Sequence, residues 1–84
     1  MYSVEFSKTA ERQLFKLEKH VQERILFVLE RIKIRPFRFV AKLSNAPYFR
    51  LRIGDYRAIL DINQEKQTIF VAEVGHRRNI YHKF

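Results

Sequence analysis

Gly54-Asp55 separates two runs in which apolar and polar residues alternate, Phe49 to Ile53 and Tyr56 to Leu60. A two-residue loop of that kind joins antiparallel strands in a tight hairpin. It predicts that Ile53 faces Tyr56, Arg52 faces Arg57, Leu51 faces Ala58 and Arg50 faces Ile59. Strand side chains alternate between faces, so Phe49, Leu51, Ile53, Tyr56, Ala58 and Leu60 share one face, the core side. Arg50, Arg52 and Arg57 share the other. Like charges placed opposite one another across a sheet repel. Three arginines gathered there point to a bound anion, with phosphate the best match for forked guanidinium groups. The plainer alternative is a solvated basic face with scattered ion pairs.

The rest of the chain supplies what the hairpin packs against. Tyr2, Val4 and Phe6 alternate with polar residues and predict a first strand. Ser7 can cap a helix from about Lys8 to Leu17 with Ala10, Leu14 and Leu17 inward. After a short break near 18–20, Val21, Ile25, Val28, Leu29 and Ile32 recur with the 3.6-residue period of a second helix, which Pro36 ends. Helices joined so briefly form an antiparallel αα-hairpin. Phe37 to Pro47 reads as a basic, irregular linker containing Arg38 and Lys42. Strands follow at about 48–53, 56–62 and 68–74, with residues 63–67 as the last turn. The predicted fold is α+β, in the order β-α-α-β-β-β with a short C-terminal helix, as one domain over residues 1–84. Its four-stranded, mainly antiparallel sheet has the helix hairpin on one face and the arginines on the other.

For the last two strands the pattern predicts Ile62 against Thr68, Leu60 against Phe70, Ala58 against Ala72 and Tyr56 against Val74. Arg57 then meets Glu73 and Ile59 meets Val71 on the arginine face. That face would also bear an apolar strip, Ile59, Ile69 and Val71. Ile80 and Phe84, at helical spacing in the tail, are suited to cover it. Such a placement carries Arg77, Arg78 and Tyr81 towards the arginine hairpin, with Lys42 and Lys83 at the rim.

Charge is distributed unevenly. The net charge is +8 over 84 residues. Residues 1–30 hold five basic and five acidic side chains, whereas residues 31–84 hold twelve against four. The surplus lies wholly in the second part, which argues for a polyanionic partner there, nucleic acid or an acidic protein. Membrane adsorption is disfavoured because the helical part is charge-balanced. With no cysteine, disulfides and thiolate metal sites are excluded. No apolar run approaches the ~20 residues of a membrane span, and residues 1–6 lack a signal peptide's pattern. A soluble, cytoplasmic protein is expected.

Arginines can brace a phosphate through a reaction but are poor proton acceptors. Cleaving RNA without a metal needs a 2′-hydroxyl nucleophile, a braced phosphorane and a protonated leaving oxygen. Tyr81 is one proton carrier, its phenol (ordinarily near a pKa of about 10) responding to neighbouring guanidinium charge. It can equally stack on an unpaired base or pack as an interfacial aromatic. His76 and His82 are alternative proton carriers, and His20 sits apart in the helix turn. No metal-ligand spacing such as His-Glu-x-x-His occurs, and Gly54 and Gly75, the only glycines, form no phosphate-binding loop. No cofactor is expected.

Lys42-Leu43-Ser44, Arg50-Leu-Arg-Ile-Gly-Asp-Tyr-Arg57 and Val74-Gly-His-Arg-Arg-Asn-Ile-Tyr81, behind a strand and a helix hairpin, resemble the RelE/ParE superfamily of toxins from toxin–antitoxin modules. The resemblance spans nearly the whole chain. It implies a RelE-like endoribonuclease that enters the ribosomal A site and cleaves messenger RNA by 2′-hydroxyl attack without metal, inhibiting translation. The alternative within the superfamily is a ParE-like toxin that inhibits DNA gyrase and cuts nothing. A basic RNA-binding module without catalysis is a third reading. By position, Arg50 and Arg52 correspond to basic residues at the scissile region, Arg57 and Arg77 to phosphate-bracing arginines, and Tyr81 to a tyrosine that stacks on or helps activate substrate. Lys42, Arg78 and Lys83 would contact RNA. Well-known members carry lysines where this chain has Arg50 and Arg52, which shifts proton chemistry towards Tyr81. The resemblance also implies a RelB-like antitoxin held in a hetero-oligomer.

Overall fold

Ser7 starts the first helix as expected. In the computed structural model, which describes residues 1–80, its backbone is extended and its side chain accepts the Ala10 N–H at 2.9 Å. The same hydroxyl donates to the Ala72 carbonyl at 2.7 Å. The cap therefore also pins the helix to the sheet. The elements are β1 (Ser3–Phe6), α1 (Lys8–Phe15), α2 (Lys19–Arg31), a 3-10 turn (Pro36–Arg38), β2 (Val40–Lys42), β3 (Phe49–Ile53), β4 (Tyr56–Asn63) and β5 (Thr68–His76). α1 stops short of Leu17 because its last turn tightens to i→i−3 bonds, Lys16 N–H to Gln13 O and Leu17 N–H to Leu14 O. The Gln22 side chain donates to the Leu17 carbonyl at 2.8 Å and closes the helix hairpin. Val21, Ile25, Leu29 and Ile32 form the buried stripe of α2, with Val28 half-buried at its margin.

The architecture is α+β with a five-stranded mixed sheet in the order β1-β5-β4-β3-β2. β1 runs parallel to β5 and the remaining pairs are antiparallel. The fifth strand corrects the sequence reading. β2 lies within the supposed irregular linker and pairs Val40 with Leu51, Ala41 with Arg50 and Lys42 with Phe49. Three residues, one of them alanine, are too few to show an alternation, so it leaves no periodic signal. No helix among the described residues is long and apolar enough to cross a membrane.

The β3–β4 register is as predicted in every pair. The β4–β5 register is not. Ile62 opposes Ile69, Leu60 opposes Val71, and after a bulge Ile59 opposes Glu73, Ala58 opposes Val74, Arg57 opposes Gly75 and Tyr56 opposes His76. Loop closure and core packing both favour this arrangement. Asn63 pairs with Thr68, its side chain accepts the Lys66 N–H at 2.9 Å, and Gln67 takes a left-handed φ of 52° to finish the turn. The shift by one residue turns Ile69 and Val71 into the core, both fully buried, and leaves Phe70 39% exposed. The bulge at Ala72 then restores Val74 to the core face. The expected apolar strip on the arginine face thus reduces to Ile59, and Ile69 and Val71 pack beneath the helices.

β1 covers β5 only as far as Val71. Beyond it, Gln13 of α1 takes over the open edge. Its Oε1 accepts the Val74 N–H at 2.8 Å and its Nε2 donates to Glu73 Oε1 at 3.1 Å. Gln13→Leu will leave a partly buried backbone N–H unsatisfied, with an expected loss of about 1–3 kcal/mol. A urea midpoint shifted downwards at unchanged slope checks this; an unshifted midpoint would show that water replaces the amide without cost.

Candidate functional site

The face of the sheet opposite the helices is divided by charge. Glu5 of β1 and Asp61 of β4 flank Phe70 across three adjacent strands, and Glu65 lies in the β4–β5 loop beyond them. At the other end lie Arg50 and Arg52 of β3, both exposed, and half-buried Arg57 of β4. Arg52 and Arg57 are directly opposed. Gly54, at φ 62°, lets the hairpin turn tightly. Arg57 folds back over that turn, its Nη1 donating to the Gly54 and Tyr56 carbonyls at 2.9 Å each. Two carbonyl acceptors fix the guanidinium without neutralising it.

The chain after β5 is tied to the same turn. The Arg77 N–H donates to the Asp55 carbonyl at 2.9 Å, and the Asn79 and Ile80 N–H groups both donate to the His76 carbonyl. Ile80 is buried, and a Cβ placed on Gly75 would meet its Cδ1 at 3.5 Å. Gly75 pairs with Arg57, so Ile80 packs on the arginine side and the backbone of Arg77 sits at the hairpin tip. Residues 77–80 wind through turns rather than a helix. Tyr81, Lys83 and the remainder of the expected C-terminal helix lie outside the described residues.

Arg50, Arg52, Arg57 and the Arg77 backbone thus come together as expected. The displaced β5 register moves the carboxylate expected opposite Arg57: Glu73 opposes Ile59 instead and accepts from Gln13, and Arg57 faces a glycine. Among the described residues the ion pair is Glu30–Lys33 at 2.5 Å, and the His20 ring lies 4.0 Å from Glu18; both are remote from the arginines in sequence. Lys42 is not brought into the cluster. Its register with Phe49 puts it on the helix side of the outermost strand. Arg78 is exposed beside the cluster, its N–H donating to His76 Nδ1 at 3.2 Å.

His76 points elsewhere. Paired with Tyr56 on the helix side, it meets that ring edge-on at 5.4 Å. It lines a cleft of about 290 Å³ with Gln13, Lys16, Leu17 and Glu73. Among the described residues no three His, Asp or Glu side chains converge as a metal-ligand group. The roles of Gln13 and of the Asp55 carbonyl were not legible in the sequence, since a glutamine on a half-polar helix face and a turn carbonyl carry no distinctive pattern.

A family model described as the ParE toxin of type II toxin–antitoxin systems matches residues 4–81. The chain is 32% identical to toxin RelG of Mycobacterium tuberculosis over 98% of both chains, and 30% identical to toxin RelE3 of Methanocaldococcus jannaschii over 94% of both. Among solved structures it resembles the toxin–antitoxin complex RelBE2 of M. tuberculosis, with a TM-score of 0.83 at 32% identity over 90% of this chain and 98% of that one. The archaeal RelE–RelB complex of Pyrococcus horikoshii follows at 0.78 and 27% identity, over 93% and 97% of the two chains.

Proposed function

Because this chain belongs to the RelE/ParE superfamily of toxins from type II toxin–antitoxin modules, we propose that it is a RelE-like toxin, a ribosome-dependent endoribonuclease of the cytoplasm. The observation that supports this reading most is the group of arginines at the β3–β4 turn that have no carboxylate partner among the described residues. In the proposed reaction the 2′-oxygen attacks the adjacent phosphorus, the P–O5′ bond breaks, and a 2′,3′-cyclic phosphate and a 5′-hydroxyl end result. Arg57 and Arg77 brace the phosphoryl oxygens as negative charge grows on them. Arg50 and Arg52 hold the scissile region, Arg78 and Lys83 contact the flanking strand, and Tyr81 handles the proton. Lys42 contacts RNA from the sheet's outer edge. The group has charge to stabilise the transition state but no evident strong base, so the ribosome would have to shape the substrate.

Complexes of toxin with antitoxin among the similar structures support a RelB-like antitoxin as the partner, in a hetero-oligomer. The family model's description as a ParE toxin favours a second reading, a ParE-like toxin, which we take to act by inhibiting DNA gyrase. Mapping messenger ends in a translating extract separates the two. New ends at A-site codons, persisting in EDTA at concentrations that leave ribosomes intact, are expected, while free protein cuts naked RNA very slowly. Gyrase-dependent DNA breaks without new messenger ends would select the ParE-like reading. Cleavage lost in EDTA and restored by a trace transition metal would overturn the metal-free reaction.

A further inference from the structure

From Arg31 to Gly54 the chain carries seven basic residues and no acidic one. Two of these are engaged locally: Lys33 with Glu30, and Arg31 at 6.0 Å from the Phe27 ring centre. Arg35, Arg38 and Lys42 are exposed and have no ion pair among the described residues. Two aromatic rings interleave with them, Phe37 at 43% and Phe39 at 49% exposure. Buried Pro36 anchors the 3-10 turn, and Phe37 is propped edge-on against Phe49 at 5.4 Å. The turn packs beside β2, whose Ala41 neighbours Arg50. A basic, aromatic edge therefore continues outwards from the arginine cluster.

We propose that this edge is a second RNA-binding site, in which Arg35, Arg38 and Lys42 hold the backbone of a single strand and the Phe39 ring stacks on one of its bases. Charge sets the direction of the strand. A polyanion lying on Arg50, Arg52 and Arg57 is repelled from the β1 side by Glu5 and Asp61 and drawn over β2 by cations that have no ion pair among the described residues. An acidic peptide suits the edge less well. β2 is three residues long with Pro36 and Pro47 on either side of it, a poor template for an added strand, whereas cations spaced between half-exposed rings match phosphates and bases. The direction of the strand rests on the nuclease reading above; binding at the edge does not.

A labelled, uncleavable 2′-O-methyl oligonucleotide separates binding from cleavage. Anisotropy titrations across a salt series should show that R35A/R38A lowers the slope of log K against log salt by about 1.4, from two lost phosphate contacts at ~0.7 each on a single strand. R35K/R38K should retain the wild-type slope, and F39A should weaken binding by roughly 5- to 150-fold. Thermal melts confirm that each variant folds. An unchanged affinity and slope in folded R35A/R38A overturns the proposal, whatever the extract shows. So does a loss confined to antitoxin binding, which would make the edge a protein surface. If the slope falls as expected but no messenger ends appear in the extract, the nuclease reading fails and the RNA site stands.

Discussion

Replacing Arg57 and Arg77 together with alanine will abolish growth arrest while leaving a folded chain that still binds its antitoxin. Each guanidinium is assigned to the reacting phosphate, and removing one transition-state donor of that kind costs on the order of 10²–10³ in rate. Little of that loss would come from unfolding. Arg57 donates to two carbonyls at the edge of the hairpin turn, and Arg77 is anchored through its backbone, which alanine retains. Core packing beneath Ala58 and Leu60 is untouched by either change. Arg57→Lys should recover only part of the activity, since an ammonium keeps the charge but loses the planar fork. The measurements are growth on induction, cleavage in a translating extract, and a thermal melt of each variant. Wild-type toxicity in a folded double variant would remove this cluster from the active site.

What makes the cluster electrostatically open is the feature hardest to read in the sequence. The hairpin was legible because Gly54-Asp55 separates two strictly alternating runs, and its register follows from a two-residue loop. The α2 stripe was legible for the same reason, a sustained period. β5 breaks its period: Ile69-Phe-Val-Ala-Glu-Val74 has apolar residues on both phases, so alternation alone favours neither register. The choice was made by tertiary packing, with two β-branched residues buried beneath α1 in preference to Phe70 and Ala72. Shift and bulge together carry Glu73 two residues along β4, from Arg57 to Ile59, and into the reach of Gln13. The predicted Arg57–Glu73 contact would have neutralised part of the site. β2 was missed on different grounds, as three residues recruited to an edge by their neighbour β3 rather than by any pattern of their own.

Tyr81→Phe will separate the two roles open to the last residue of the proposed site. Stacking needs only the ring, whereas proton transfer needs the hydroxyl, and general acid–base catalysis is worth roughly 10²–10⁴-fold. A loss within that range in Tyr81→Phe is expected, with Tyr81→Ala losing at least as much. His76 is the natural competitor, and its position argues against it. Its Nδ1 accepts the Arg78 N–H, and its ring packs on Tyr56 on the helix side of the sheet, whereas Arg57 and Gly75 mark the opposite side. His76→Asn should therefore reduce cleavage far less than Tyr81→Phe does, because it removes the imidazole while the Asn Oδ1 can still accept the Arg78 N–H. The pH dependence of single-turnover cleavage sharpens the comparison: a histidine proton carrier gives a limb that disappears in His76→Asn. If Tyr81→Phe cleaves at nearly the wild-type rate while Tyr81→Ala fails, Tyr81 is a stacking platform. The proton would then have to pass through His82 or a group on the ribosome, and His82→Asn in the same assay would tell those two apart.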